Sequence, residues 1–162
     1  MRLADAASGD SVELNLAGYE FEQANNEYDA NWLIIVGHIQ HGSLSWTFRQ
    51  PCMLTSEAQQ LADWLELVAA NDVLPSLQFL EPNLAFSLDA SSEPTAPEAS
   101  ARIRIEFAAE AAPPARRSDG VSATHTVTLQ LTKPELADAA AHWRRDLTAT
   151  AETRQSDEQR HR

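Results

Sequence analysis

Residues 28–68, YDANWLIIVGHIQHGSLSWTFRQPCMLTSEAQQLADWLELV, decide how this chain folds. Three of its four tryptophans fall here, in two strand patterns and one helical pattern. Trp32 to Val36 is continuously apolar, which predicts a central strand covered on both faces. His41-Gly42 supplies a tight turn, because glycine reaches positive φ without a Cβ clash. Leu44, Trp46 and Phe48 then alternate with Ser45, Thr47 and Arg49, the pattern of a second hairpin arm. Pro51 lacks a ladder donor and is expected to end that arm. Ser56-x-x-Gln59 reads as a capping box, and Leu61, Trp64, Leu65 and Val68 follow at helical spacing until Asn71 and Asp72 stop the helix.

Working outward, Val12-Glu13-Leu14-Asn15-Leu16 alternates as a strand with one buried face, and Asn25, Asn26 and Glu27 mark a turn. Downstream, two short strands, Leu77 to Leu80 and Leu84 to Leu88, are split by Glu81-Pro82-Asn83. Asp89 to Ser100 has no apolar residue larger than alanine, so it reads as a long solvated loop. Ile103, Ile105 and Phe107 share one strand face, and Val127, Leu129 and Leu131 another, with a loose loop over residues 112–123 between them. Thr132-Lys133-Pro134-Glu135 caps a last helix whose inner stripe is Leu136, Ala140, Trp143 and Leu147. The order β-β-β-α-β-β-β-β-α predicts an α+β fold: a mainly antiparallel or mixed sheet of about six to seven strands, with two helices packed on one face. A single domain over residues 1–151 and a mobile polar tail over 152–162 complete the expected organisation.

The chain has 162 residues and is 43% apolar, enough for one core that buries roughly two thirds of the unfolded surface. The first residues lack an apolar signal region, and no run approaches the ~20 apolar residues that span a bilayer, so a soluble cytoplasmic protein is expected. Cys52 is the sole cysteine, which excludes an intrachain disulfide. The net charge of −12 is uneven. Residues 1–101 hold 15 acidic side chains against Arg2 and Arg49, whereas residues 102–162 hold 9 acidic and 10 basic ones. Such a surface repels nucleic acid and anionic membranes and favours basic partners.

No pattern of catalytic chemistry stands out. The five glycines are scattered and form no phosphate loop, and one cysteine cannot build a thiolate zinc site. His38 and His41 lie three apart on a strand, so they point to opposite sides. Cys52 has no visible base and orienting group, and a small buried apolar role suits it better. Asp138 and His142 are placed to touch on a solvated helix face. Glu20 and Glu22 share a strand face, which an exposed edge explains as well as acid–base chemistry does. Trp64 and Trp143 read as core, while Trp32 and Trp46 are placed to stack across the hairpin. No catalytic residue, cofactor or metal is expected.

The segments Asp29-Ala30-Asn31-Trp32-Leu33, Trp46-Thr47-Phe48-Arg49-Gln50-Pro51-Cys52, Leu61-Ala62-Asp63-Trp64-Leu65 and Phe79-Leu80-Glu81-Pro82-Asn83-Leu84 together resemble the WapI-type immunity proteins. The resemblance covers residues 19–90 most clearly and extends weakly to Leu147. Met53 stands where the family pattern has leucine, a swap that a buried site tolerates. The resemblance implies a non-enzymatic protein that binds the toxic domain of a polymorphic toxin and blocks it. Such toxins are often nucleases with basic clefts, which an acidic protein can fill. On that reading Asp29, Asn31, Glu81 and Asn83 are the candidate partner-binding residues. Asp and Asn at turn edges also commonly bond their own backbone. A binding or assembly module of another kind, dimeric through an uncovered sheet face, is the second reading.

Overall fold

Alternating sequence gives strands that each bury one side, and the computed structural model shows how those sides are assembled. It describes residues 1–21, 29–70, 74–89, 100–117 and 124–160. Along the chain run β1 (Arg2–Ala4), β2 (Ser11–Tyr19), β3 (Trp32–His41), β4 (Leu44–Leu54), α1 (Thr55–Ala69), β5 (Leu77–Gln78), β6 (Leu84–Leu88), β7 (Ser100–Phe107), α2 (Pro114–Arg117), β8 (His125–Thr132) and α3 (Lys133–Arg160). The turns at residues 25–27 and 71–72, Glu22 and most of the loop at 89–100 lie outside the described residues.

The fold is α+β and antiparallel, but the strands form two sheets and not one. Among the described residues there are two four-stranded sheets, ordered β1-β2-β3-β4 and β5-β6-β7-β8. After β4 the chain leaves the first sheet into α1, and β5 starts a new ladder with β6. Side-chain alternation reports which face of a strand is buried, whereas hydrogen-bonded neighbours are set by the connections. The inner faces of both sheets meet in one core: Val12, Leu14, Leu33, Ile35, Trp46 and Phe48 from the first, and Phe86, Ile103, Ile105, Phe107, Val127 and Leu129 from the second. The helices therefore do not cover one face of a single sheet. Trp64 of α1 packs on Phe86, and Trp143 of α3 is fully buried and donates its indole N–H to the Ala58 carbonyl of α1 at 2.8 Å.

The hairpin of β3 and β4 closes as predicted, with Gly42 at φ 58° beyond the His41–Leu44 pair. Gly37 faces Phe48 across the ladder, and a Cβ there would run into the Phe48 ring, so the ring lies directly over bare backbone. Trp32 and Trp46 do not stack across this hairpin. Trp32 pairs with Leu54 and Trp46 with Ile39, at opposite ends of the arms. Trp46 instead meets Phe107 of the second sheet edge-on at 5.4 Å and donates to the Ala111 carbonyl at 2.9 Å. Nor is β3 covered on both faces: Leu33, Ile35 and Ile39 are buried, while Ile34 and Val36 are only half-buried on the other side.

Pro51 does not end β4. The strand lies at the edge of its sheet, where a missing N–H can face outward, and the pairing continues to Leu54. The register slips just there: Ile34 pairs with Pro51 but Leu33 with Met53, which leaves Cys52 as the extra residue of a β-bulge. A bulge breaks the two-residue alternation, and both Cys52 and Met53 are fully buried.

One carboxylate stitches the sheets together at the other end. Asp5, just after β1, accepts the Gln130 N–H of β8 at 3.0 Å and the N–H groups of Ala7 and Ser8 at 2.8 and 3.2 Å. Burial alone would raise its pKa, but the three backbone donors outweigh it and hold the carboxyl below its ordinary value.

Of the two capping boxes, that of α3 forms as read, with Thr132 and Glu135 bonding each other's backbone N–H. α1 starts earlier than Ser56. Its cap is Leu54, whose N–H donates to the Glu57 carboxylate at 2.8 Å; a leucine has no acceptor with which to return the bond. α3 continues as helix through the polar residues after 151 as far as Arg160. On its outer side Arg144 grips Asp63 and Glu66 of α1 at 2.5 and 2.7 Å, tying the helices together.

Candidate partner-binding site

The bulge at Cys52 delivers the chain into α1, and two turns gather around that helix start. The first is a 3-10 turn at Asp29–Asn31 that leads into β3. It is fixed by its carbonyls: Thr55 of α1 donates its hydroxyl to Asn31 at 3.2 Å, and Arg154 of α3 donates to Ala30. The Arg154 guanidinium also lies 4.4 Å over the Tyr19 ring at the end of β2. Asp29 and Asn31 are both half-buried, and each makes further polar interactions.

The second turn is Leu80-Glu81-Pro82-Asn83. It is held from α1 by Glu57, which accepts the Leu80 N–H at 2.7 Å on one oxygen while the other caps Leu54. A single carboxylate thus fixes both the helix start and the turn. At the far end Asn83 is buried, only 4% exposed; its amide donates to Glu110 at 3.2 Å and its carbonyl accepts the Ala108 N–H at 3.0 Å. Next to it Ala109 adopts φ 48°, a left-handed conformation that costs an L-residue roughly 1–2 kcal/mol. The bonds at Ala108 and at Ala111, under Trp46, bracket that strained residue.

Both turns that carry the four sequence-selected residues therefore touch the first residues of α1, although residues 29 and 83 are far apart in sequence. Glu81 is exposed, whereas Asn83 faces inward and shapes the turn. Sequence reasoning missed Glu57, Glu110 and Leu80. Glu57 was detectable, standing three residues after the true cap Leu54, but a box that begins with leucine does not match the usual pattern. The sequence pattern places Leu80 in a strand, yet β5 stops at Gln78 and Leu80 stands 58% exposed.

The electrostatics of this corner are negative. Cys52 has its thiol pushed up to about 12, first by burial and then by the charges of Glu81, Glu57 and Glu110 around it. A thiol so far from ionising is no nucleophile at neutral pH. His38 is exposed and His41 half-buried on the opposite side of β3, where its Nδ1 lies 2.9 Å from Nε2 of His125 in β8. His142 pairs with Asp146 at 3.4 Å. Among the described residues, no group of three or more His, Cys, Asp or Glu side chains is placed to hold a metal, and no helix is long and apolar enough to cross a membrane.

No curated protein and no solved structure shows a significant match to this chain. The model of the immunity protein WapI-like family matches residues 2–151, from the first strand into the last helix, and the chain belongs to that family.

Proposed function

We propose that this protein neutralises a cognate toxin domain in the cytoplasm of the cell that makes both, by binding the domain and covering it, without chemistry of its own. The observation that carries this reading is membership of an immunity-protein family over residues 2–151. The charge of −12 supports an acidic contact with a basic toxin, since complementary charge steers association and excludes wrong partners. The contact surface is assigned to the corner at the start of α1. There Asp29, Asn31 and Glu81 contribute directly, and Asn83 contributes by holding its turn. A second reading, a homodimer through the outer face of the first sheet, has less support. Half-buried Ile34, Val36 and Pro51 share that face with exposed His38, Thr47 and Arg49, a mixed surface and not an apolar one.

The test is co-expression with the toxin domain encoded beside this gene. Rescue of growth together with a co-purifying complex is the expected result. Continued toxicity with both proteins expressed and soluble would overturn the cognate-immunity reading for that toxin.

A further inference from the structure

The described surface has few large apolar side chains in water: Phe21, Leu44, Leu67 and Leu80, at 41%, 37%, 42% and 58% exposure. Leu80 is the most exposed of these, and its backbone is held even though it lies in a turn. Its N–H is bonded to Glu57 at 2.7 Å. Phe79, just before it, is buried with its ring 6.2 Å from that of Phe86, and Asn83, at the end of the turn, is buried and bonded to Glu110 and Ala108. Leu77 and Phe79 turn toward the core, so the two-residue alternation carries Leu80 outward on the same side as Gln78, and the turn begins there.

An exposed leucine on a fixed backbone loses little conformational freedom when a partner covers it, so most of its desolvation gain survives as affinity. Its surroundings state what that partner must be. Glu57 accepts the Leu80 N–H, Glu81 is the exposed next residue, and Glu110 accepts from the Asn83 amide at the end of the turn, so the apolar knob stands among three carboxylates. That is the layout of an interface core and rim, and its complement is an apolar hollow bordered by lysine or arginine. Resting on the neutralisation reading above, we infer that Leu80 is the apolar anchor of the toxin contact, seated in a hollow of a basic partner surface.

The experiment measures affinity for the neighbouring toxin domain with the unaltered chain, Leu80→Ala, Leu80→Lys and Leu67→Ala, each first checked for an unchanged melting temperature. Leu67 lies on α1 ten residues beyond Glu57, about 15 Å along the helix, and serves as the comparison. Leu80→Ala is expected to weaken binding about tenfold, from the apolar surface it no longer buries. Leu80→Lys sets a cation against a basic rim and is expected to weaken it about 100-fold or more. Leu67→Ala should leave affinity within about threefold.

Equal binding by all four proteins would overturn the anchor while leaving neutralisation intact. Equal losses at Leu80 and Leu67 would overturn it too, since no single knob would then carry the contact. No complex with the unaltered chain would instead defeat the neutralisation reading, and the anchor with it. Sedimentation of the chain alone gives a further arm: a dimer that Leu80→Lys dissociates would make the occupant a second copy, contrary to the inference.

Discussion

The seam between the two sheets and the corner at the start of α1 are built from the same kinds of residue put to opposite uses. At the seam, aromatic rings are buried: Trp46 on Phe107, with the half-buried His125 at its edge, and Phe48 on Phe107 and over Gly37. A buried carboxylate, Asp5, spans the gap between β1 and β8. At the corner a carboxylate again satisfies backbone N–H groups, but what Glu57 holds in place is an exposed leucine and an exposed acid. The seam concentrates stability in packing, whereas the corner fixes the shape of a surface. Substitutions should therefore separate along that line: large stability losses with little specific effect on binding at the seam, and the reverse at the corner.

Trp46→Ala should cost most. It opens a cavity between the sheets and leaves the Ala111 carbonyl without its indole donor, for a loss of about 3–5 kcal/mol. Chemical denaturation measures this, and a loss below about 1 kcal/mol would mean that the sheets do not depend on this contact.

Asp5→Ala comes next, at about 2 kcal/mol near pH 7, because it strands the Gln130 N–H. Its sign with pH follows from the direction of the shift. The folded carboxyl lies below its ordinary value, so its contribution is complete above the unfolded value of about 3.9 and disappears as pH falls through the folded one. Denaturation curves of the two proteins should differ at pH 7 and converge in strong acid. A gap that widens in acid would contradict the assignment.

Glu57→Ala should cost only about 1 kcal/mol, since its bonds lie near solvent. Its larger effect should fall on hydrogen exchange of the Leu80 amide and on affinity for the toxin domain, because the turn is then released. An unchanged Leu80 exchange rate would show that the turn is held by other contacts. Glu81→Lys should be the mildest for folding, within about 0.5 kcal/mol, while it slows association and flattens its salt dependence. An unaltered association rate would place the contact away from this corner.

Much of this architecture can be read in the chain. The inward faces of β7, β8 and α1 follow directly from Ile103-x-Ile105-x-Phe107, from Val127-x-Leu129-x-Leu131 and from the spacing of Leu61, Trp64, Leu65 and Val68, all of which are buried. The division into two sheets is not legible in the same way, because alternation carries no record of which strand lies beside which. β1, three residues of no clear pattern, is recruited by pairing with β2 and has too little local signal to stand alone. The bulge at Cys52 hides for the opposite reason: a proline beside it imitates a strand end.

The corner was half legible. Asp29, Asn31, Glu81 and Asn83 stand in two turns that are far apart in sequence, and both turns meet α1. The residues that hold them, Thr55, Glu57, Glu110 and Arg154, act across long stretches of sequence that no local pattern spans.

On the proposed reading, the acidic chain binds a basic toxin domain directly. Calorimetric titration of the purified chain into the neighbouring toxin domain, at low and at high salt, tests it most directly. A one-to-one complex that weakens as salt rises is the predicted result. The absence of any complex at low salt, with both proteins folded, would contradict it.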